Sequence, residues 1–186
     1  MNIDRHRIEN AVKEILAAIG EDVNRPELLD TPARVACMYE EVFSCTRKDL
    51  HDTVSVILEP HGEQMIVVKD ITFYSMCEHH LVPFFGKAHI VYIPKENRIT
   101  GFSKLCTLVE SAAKRPQLQE RMTTQIADVL MNVLEPQGVM VVIEAEHLCM
   151  SMRGVKKPGT KTTTSAIRGL FYEDASARAE ALTLIK

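Results

Sequence analysis

Two short segments of this chain, Cys77–His80 and His147–Cys149, carry thiols and imidazoles at spacings that suit a metal ion. Cys77 and His80 are three residues apart, so one turn can present both side chains to a single ion. Cys149 can supply a third bond from a distant strand. Because Zn²⁺ binds thiolate and imidazole, and catalytic zinc sites have three protein ligands and one position for water, these residues predict a catalytic zinc site.

Two further histidines, His79 and His147, lie in the same segments and are not needed as ligands, so they remain free for proton transfer. With five cysteines and seven histidines in 186 residues, some clustering arises by chance, and a C-x-x-H pair alone is weak evidence. A structural zinc site normally has four ligands in paired motifs, whereas the second segment offers only H-x-C. The spacing therefore favours an open, working site.

The sequence from Val139 to Met152 predicts a long strand or hairpin. Side chains at alternate positions of a strand share one face, so we expect His147, Cys149 and Arg153 to lie along one surface. The strand face would then present a proton-transfer group (His147), a metal ligand (Cys149) and an anion contact (Arg153) in sequence order. An isolated arginine at a strand end is more often simply solvated, and this reading stays open for Arg153.

Two other pairs of residues could bind a substrate at helix starts. Ser103 and Lys104 lie where a predicted strand meets a helix, and backbone N–H groups at a helix N-terminus attract anions. Gln119 and Glu120 open a later helix and could offer an amide and a carboxylate to a planar heterocycle such as guanine. An ordinary structural role stays open for both pairs, because acidic residues are common in the first turn of helices.

Composition and charge exclude several classes of protein. A chain of 186 residues and 20.9 kDa with 46% hydrophobic residues is expected to form one compact domain with a sizeable core. The net charge of −3 and the scattered basic residues argue against a protein that coats nucleic acid. No apolar run approaches the ~18–20 residues that span a bilayer, and the N-terminus lacks the layout of a signal peptide.

Cysteine and histidine usage outside the two segments gives weaker signals. The odd number of cysteines has no disulfide spacing, so we expect a reducing, cytoplasmic location. Three cysteines are then expected to be inert thiols: Cys37, Cys45 and Cys106. Four histidines have no partner spacing that indicates a site: His6, His51, His61 and His89.

Hydrophobic periodicity predicts two N-terminal helices followed by a second unit. Apolar residues from Ile8 to Ile19 follow a helical pattern. A second helix is predicted to begin at Asp30-Thr31-Pro32, with Thr31 as its N-cap. We interpret residues 1–50 as an N-terminal helical arm and residues 51–186 as the main domain.

The main domain shows strand patterns interrupted by helices. Strands are predicted at Met65–Val68, Ile71–Ser75, Lys87–Ile93, Arg98–Phe102 and Ile167–Phe171. The turn residues from Pro94 to Asn97 predict a hairpin between the third and fourth of these. Helices are predicted from a Ser103 cap to about Lys114, from about Gln117 to Leu134 and from Ala175 to Ile185. This order indicates an α+β fold with a mainly antiparallel sheet backed by helices.

Taken together, these segments resemble the GTP cyclohydrolase I family from about Asp30 to Phe171. Several motifs in the same order argue against coincidence. The motifs that carry the resemblance are Ser75–His80, Gly101–Lys104, Arg115–Arg121, His147–Cys149 followed by Met152-Arg153-Gly154, Thr162–Ser165 and Gly169–Phe171.

The resemblance implies a tunnelling fold, in which antiparallel sheets from many subunits form a barrel with the helices outside. It implies a homodecamer of two pentameric rings, with residues 51–186 as the catalytic domain. At the site it implies Zn²⁺ bound by Cys77, His80 and Cys149, and an acid–base pair formed by His79 and His147. From the net charge and the lack of a long apolar run, we expect no nucleic-acid or membrane partner.

For substrate binding, the resemblance implies that Glu120 anchors the guanine base with Gln119 beside it. Ser103 and Lys104 would meet the ribose and triphosphate, and Ser103 would also take part in proton handling.

Arg153, together with Arg34 from an adjoining subunit, would complete the anion pocket. One departure concerns the triphosphate: the family usually has an arginine three residues after Lys104, where this chain has Thr107. One charge is therefore missing, and Lys161 is a candidate to replace it.

The activity implied is hydrolytic opening of the GTP imidazole ring at C8, release of formate, and rearrangement of the ribose to give 7,8-dihydroneopterin triphosphate, the first step of tetrahydrofolate and pterin biosynthesis. Two alternatives stay open. A related tunnelling-fold enzyme, such as a 7-deazaguanine nitrile reductase, would need a nucleophilic cysteine and NADPH. A non-catalytic zinc-stabilised binding module would need a filled four-ligand site and a basic face.

Overall fold

The computed structural model describes residues 3–60 and 64–186, so His61 lies outside the described residues. The helices are α1 Arg5–Ala18, α2 Thr31–Val42, α3 Phe102–Ala113, α4 Gln119–Leu134, α5 Leu148–Ser151, α6 Leu170–Glu173 and α7 Ala175–Ile185, with short 3₁₀ turns at Pro26–Leu28 and His51–Thr53. The strands are β1 Ile57–Leu58, β2 Ile66–Cys77, β3 Pro83–Ile93, β4 Arg98–Ile99, β5 Pro116–Gln117, β6 Gly138–His147 and β7 Lys161–Gly169.

Five of the strands form one sheet in the order β5-β2-β3-β6-β7. All neighbours in this sheet are antiparallel except β2 and β5, which are parallel. The expectation of an α+β fold with a mainly antiparallel sheet is therefore confirmed. The predicted hairpin between β3 and β4 is wrong, because β4 pairs with β1 while β3 already has β2 and β6 along its two edges.

Both faces of the sheet are covered near its centre. Ile90 and Tyr92 of β3 belong to the main core, which also contains apolar residues of α3 and α4. The alternate residues Val91 and Ile93 pack on the other face, where Ala181 of α7 belongs to the same cluster. A continuous apolar run is the pattern expected of a strand that is buried on both faces.

Strand β2 delivers the first site segment and is longer than its sequence pattern indicates. The segments predicted as Met65–Val68 and Ile71–Ser75 form a single strand with a bulge between Val68 and Ile71. Asp70 has a φ of 60° within this bulge, a conformation that aspartate adopts more readily than most residues. The bulge breaks the alternation of side chains, which explains why the sequence predicts two strands.

Several predicted boundaries need correction, among them the predicted strand Ile167–Phe171, whose last two residues lie in α6. Thr31 is the first residue of α2 and Asp30 occupies its cap position, although Pro32 lies in the first turn as predicted. Gly101, and not Ser103, precedes α3. Strand β6 ends at His147, after which the chain turns into the short helix α5.

The two N-terminal helices pack against each other. The side chain of Asp4 caps α1 by accepting a hydrogen bond from the Arg7 N–H, and Arg5 forms an ion pair with Glu40 of α2. The Cys45 N–H donates to the carbonyl of Lys114, just beyond α3. The division into residues 1–50 and 51–186 stays a prediction. Among the described residues, no helix is long and apolar enough to cross a membrane.

Candidate active site

The turn between β2 and β3, which we call the metal turn, carries Cys77, His79 and His80, the first part of the site. The Cys77 N–H donates to the Val82 carbonyl at 2.9 Å and the Leu81 N–H donates to the Cys77 carbonyl at 2.8 Å, which closes the turn. The Cys77 side chain is buried, whereas His79 and His80 are exposed. Their two ring centroids lie 6.3 Å apart at nearly a right angle, so the turn presents two imidazoles in different directions.

Cys149 approaches this turn from α5, which follows β6 directly. The prediction that His147, Cys149 and Arg153 share one strand face is therefore wrong, because only His147 belongs to the strand. The helical turn replaces the strand as the element that positions Cys149. It still brings the thiol to the metal turn, since a helix, like a strand, fixes the direction of its side chains.

The sulfur atoms of Cys77 and Cys149 and a ring nitrogen of His80 all lie within 4.8 Å of one another. Ligand atoms on one tetrahedral zinc ion are about 3.3–3.8 Å apart, given bonds of ~2.3 Å to sulfur and ~2.0–2.1 Å to nitrogen. Small rotations about side-chain bonds close this difference. Two thiolates and an imidazole are a donor set that suits zinc, so these residues fit a zinc ion.

The two thiols influence each other in the protein alone. Burial raises the pKa of the Cys149 thiol, and the neighbouring Cys77 raises it further. The guanidinium of Arg153 acts in the opposite direction. A divalent cation reverses this balance, because a coordinated thiol loses its proton. We therefore expect both thiols to be deprotonated once a metal ion is bound.

His147 lies at the end of β6, directly opposite Phe84 of β3. The two rings are parallel, with their centroids 4.7 Å apart. The His147 Nε2 atom lies 2.7 Å from the Oε1 atom of Gln119. Burial lowers the pKa of His147, and the carboxylate of Glu120 acts in the opposite direction. The ring is thus held on one face by an aromatic ring and at one nitrogen by an amide.

The side chain of Gln119 has a different set of partners from the one that we expected. It is 1% exposed, and its Nε2 atom donates to the Ile143 carbonyl at 3.0 Å, to the Thr162 carbonyl at 2.9 Å and to Thr164 Oγ1 at 3.1 Å. Both amide N–H groups are therefore used within the chain. The expectation that Gln119 lies beside Glu120 at the guanine base stays a prediction, and the side-chain oxygen of Gln119 contacts His147.

Two charged residues near the metal cluster, Glu120 and Arg153, are exposed. Glu120 lies in the first turn of α4, with its side chain exposed and close enough to influence His147. Arg153 follows α5, and its Nη1 atom lies 3.2 Å from the Nε2 atom of His80. The structure thus places the carboxylate of Glu120 close to His147 and the guanidinium of Arg153 close to His80.

Ser103 and Lys104 are not brought to this cluster within one chain. The Ser75 hydroxyl donates to the Ala113 carbonyl at 2.7 Å, so the C-terminal end of α3 lies beside β2 close to Cys77. Ser103 and Lys104 lie at the opposite end of the helix, about 15 Å away at ~1.5 Å per residue.

The other anion-binding candidates are exposed and have partners elsewhere. Arg34 of α2 pairs with Asp30. The hydroxyl of Thr107 donates to the Ser103 carbonyl at 2.9 Å within α3. Lys161 begins β7 and acts on the carboxylate of Glu146.

Two contacts that hold the site in place had no signal in the sequence. Arg121 of α4 forms an ion pair with Glu78, the residue after Cys77. Glu146 of β6 accepts hydrogen bonds from the Ser151 hydroxyl at 2.6 Å and the Gly159 N–H at 3.1 Å, which ties down the loop after Cys149. Spacing could not reveal the contact of Arg121 with Glu78 or that of Gly159 with Glu146, since only the fold brings these residues together.

Comparison with known proteins gives one consistent result. The family model described as GTP cyclohydrolase I matches residues 8–186. The GTP cyclohydrolase 1 of Geobacillus kaustophilus (strain HTA426) is 61% identical over 180 residues, covering 97% of this chain and 96% of that protein. The GTP cyclohydrolase 1 of Bacillus pumilus (strain SAFR-032) is 60% identical and that of Bacillus subtilis (strain 168) 59% identical, each covering 99% of this chain and 97% of the relative.

Among solved structures, the apo form of the archaeosine synthase QueF-Like is similar over 59% of this chain and 97% of its own, with 16% identity and a TM-score of 0.49. A similarity of this size carries no weight beside the family match. The sequence relatives and the family model both extend over nearly the whole chain, including every segment that builds the metal cluster. On this evidence the chain belongs to the GTP cyclohydrolase I family.

Proposed function

We propose that this chain hydrolyses GTP to 7,8-dihydroneopterin triphosphate, the first step of tetrahydrofolate and pterin biosynthesis. The observation that carries the proposal is the convergence of Cys77, His80 and Cys149 within 4.8 Å, in a chain that the family model matches over residues 8–186. A nitrile reductase would need a free nucleophilic cysteine, whereas Cys77 and Cys149 both belong to the metal cluster. A structural zinc module would need four ligands, whereas the part of the chain that the structure describes brings three to this cluster.

The proposed metal is Zn²⁺, bound by Cys77, His80 and Cys149. When bound, zinc supplies a Lewis acid that makes water a nucleophile near neutral pH. Two thiolates neutralise the charge of the ion, so this donor set acidifies water less strongly than three histidines do. More of the proton transfer therefore falls to neighbouring side chains, and His79 and His147 are the imidazoles available.

His79 and His147 are proposed to share the proton transfers of ring opening. His79 is exposed in the metal turn, which suits a group that reaches the substrate and protonates N7. His147 is partly buried and already held by Phe84 and Gln119, which suits a group that must stay in one orientation. Opening of the ring breaks the C8–N9 bond, and a second hydrolysis releases C8 as formate.

Charged residues around the cluster suit the two ends of GTP. The exposed carboxylate of Glu120 can accept hydrogen bonds from the N–H groups of guanine. Arg153 lies beside His80 and can bind phosphate. Ser103 and Lys104 are proposed to bind the ribose and triphosphate.

The proposal includes a homo-oligomer, because one chain does not hold the whole site. Ser103 and Lys104 lie about 15 Å along α3 from the end that adjoins the metal turn. A second copy is therefore proposed to bring these residues, and its Arg34, to the cluster. Two further features support association: β7 is the last strand of the described sheet, and Tyr74 and Phe102 are 75% and 63% exposed. A decamer is the proposed assembly, and light scattering on the purified protein measures its mass.

The direct test incubates the purified, zinc-loaded protein with GTP and measures formate together with pterin fluorescence after oxidation. We expect both products in equal amounts. Cys149→Ala should lose bound zinc and turnover together, whereas Cys37→Ala, which alters an exposed cysteine of α2, should keep both. Zinc-loaded protein that releases no formate, or Cys149→Ala protein that is active without metal, would refute the proposal.

A further inference from the structure

The orientation of the Gln119 side-chain amide is fixed by its surroundings. On one side it faces the carbonyl oxygens of Ile143 and Thr162, at 3.0 Å and 2.9 Å. A carbonyl oxygen can only accept hydrogen bonds, so the NH₂ group must point towards this pair. The reversed amide would place three oxygen atoms together in a site that is 1% exposed. The Oε1 atom must therefore face His147.

Two threonines close a directional network around the same amide. Gln119 Nε2 donates to Thr164 Oγ1, which lies 2.6 Å from Thr123 Oγ1. The Thr123 hydroxyl donates to the main-chain carbonyl of Gln119 at 2.7 Å. The Thr123 oxygen must therefore accept a hydrogen bond from the Thr164 hydroxyl. Each hydroxyl then donates once and accepts once. This network independently requires an N–H group of Gln119 on the Thr164 side, which agrees with the orientation set by the two carbonyls.

The fixed amide determines which nitrogen of His147 carries the proton. Gln119 Oε1 is an acceptor 2.7 Å from His147 Nε2, so the Nε2 atom must donate. The neutral ring then has its free lone pair on Nδ1. Phe84 stacks on this ring at 4.7 Å with an interplanar angle of 1°, which fixes the plane of the ring. Amide and aromatic ring together leave one tautomer in one orientation.

We infer that Gln119 is a positioning residue for catalysis: it holds neutral His147 as the Nε2–H tautomer, so that Nδ1 is the nitrogen that accepts a proton from substrate or water. The proposal rests on the proposed function for its kinetic consequence. It assigns the side chain of Gln119 to His147 and away from guanine. Its effect on catalysis is therefore expected in kcat, with little change in the KM for GTP.

The tautomer can be read without any activity assay. Zinc-loaded protein is labelled with ¹⁵N and ¹³C at histidine, and carbon–nitrogen correlation spectra of the sedimented protein at alkaline pH distinguish Nε2–H from Nδ1–H. The His147→Asn variant identifies the His147 signals among the seven histidines. We expect a single Nε2–H form in the wild type. A wild-type His147 with its proton on Nδ1 overturns the proposal, whatever the activity of the protein.

Two variants test the assignment to Gln119. Gln119→Met keeps the length of the side chain but removes the acceptor, so an Nδ1–H form should become detectable. The kcat should fall by about 10- to 100-fold, a smaller loss than the ~10²–10⁴-fold that the whole of proton transfer supplies. Thr164→Val removes one partner of Gln119 but leaves its oxygen facing His147, so the Nε2–H form should persist. This second variant separates loss of the acceptor from general loosening of the network.

The kinetic outcome distinguishes this inference from the proposed function. A Gln119→Met variant with wild-type kcat, or one whose loss lies in KM alone, overturns the positioning role. Wild-type protein without GTP hydrolysis refutes the proposed function but leaves the tautomer assignment to be judged by the spectra. If Gln119→Met does not fold, the wild-type and Thr164→Val spectra still decide whether His147 is held as Nε2–H.

Discussion

Arg121 of α4 binds the carboxylate of Glu78, the residue that follows Cys77 in the metal turn. The same guanidinium donates to the Pro116 carbonyl at 3.0 Å and to Gln117 Oε1 at 2.8 Å. The Glu78 N–H donates in turn to the Gln117 carbonyl at 3.1 Å. The metal turn is thereby joined to the start of α4, the helix that also carries Gln119 and Glu120.

We predict from this contact that Arg121→Met weakens zinc binding by about 10- to 100-fold, the usual effect of losing a group that orients metal ligands. Competition with a chromophoric zinc chelator measures the affinity. Arg168→Met is the matched control, since Arg168 pairs with Asp128 further along the same helix. An equal loss of zinc affinity in both variants, or no loss in Arg121→Met, would show that the Glu78 contact does not support the site.

A second prediction concerns Thr107, which stands where the family usually has an arginine. The side chain is exposed and lies one turn after Ser103, with which it forms a hydrogen bond. Thr107→Arg adds a charge beside Lys104 and should lower the KM for GTP by up to about 5-fold, as expected for an exposed ion pair of ~0.2–1 kcal/mol. Steady-state kinetics at low and high salt should show the gain shrinking with ionic strength.

The control for this variant is Thr183→Arg, which adds the same charge at an exposed threonine of α7 whose hydroxyl also donates to the carbonyl four residues earlier. It should leave the KM nearly unchanged. If both variants lower the KM equally, the effect comes from the net charge of the protein, and the region around Ser103 and Lys104 does not contact the triphosphate.

The third prediction concerns stability against acid. His89 in β3 is buried, and its Nδ1 atom accepts a hydrogen bond from the Asp70 N–H at 3.2 Å. Burial lowers the pKa of His89, and Lys87 and Lys69 lower it as well, against the opposite effect of Asp70 and Glu144. The unfolded chain therefore binds this proton more readily than the folded protein, so stability is complete above the ordinary pKa near 6.5 and falls as the pH drops below it.

His89→Asn keeps an acceptor for the Asp70 N–H but cannot be protonated. Thermal unfolding between pH 7.5 and pH 5 should therefore show a smaller loss of stability in this variant than in the wild type. His6→Asn, at an exposed histidine of α1, should follow the wild-type profile. Parallel profiles for wild type and His89→Asn would contradict the prediction.

The grouping of Cys77 with His80 was predictable from the sequence because the two residues lie within one turn of chain. Their proximity needs only local geometry, and thiols and imidazoles together indicate a metal. The position of Cys149 was predicted correctly for an incorrect reason: we expected a strand, and the chain forms a helical turn. The residue type predicted that Cys149 joins Cys77 and His80. The helical turn that carries Cys149 depends on contacts that the sequence does not indicate, such as those of Glu146 with Ser151 and Gly159.

Long-range pairing is the part that the sequence could not provide. The register that places Phe84 opposite His147 depends on how β3 and β6 align, and one residue of slip would exchange the faces of the strand. The turn from Pro94 to Asn97 correctly indicates a change of direction. It could not indicate that β3 has neighbours on both edges, which sends β4 to β1 instead. The role of Gln119 was hidden for the same reason, since the partners of its side chain lie on two strands, β6 and β7, that are distant from it in sequence.

The account depends most on one zinc ion held by two thiolates and one imidazole, with a fourth position open to solvent or substrate. X-ray absorption at the zinc edge of the assembled protein, together with metal analysis, tests this directly. We predict one zinc per chain, two sulfur atoms at about 2.3 Å and two nitrogen or oxygen atoms at about 2.0–2.1 Å, and no bound zinc in Cys149→Ala. A shell of four protein ligands, or protein that hydrolyses GTP with no metal, would contradict the account.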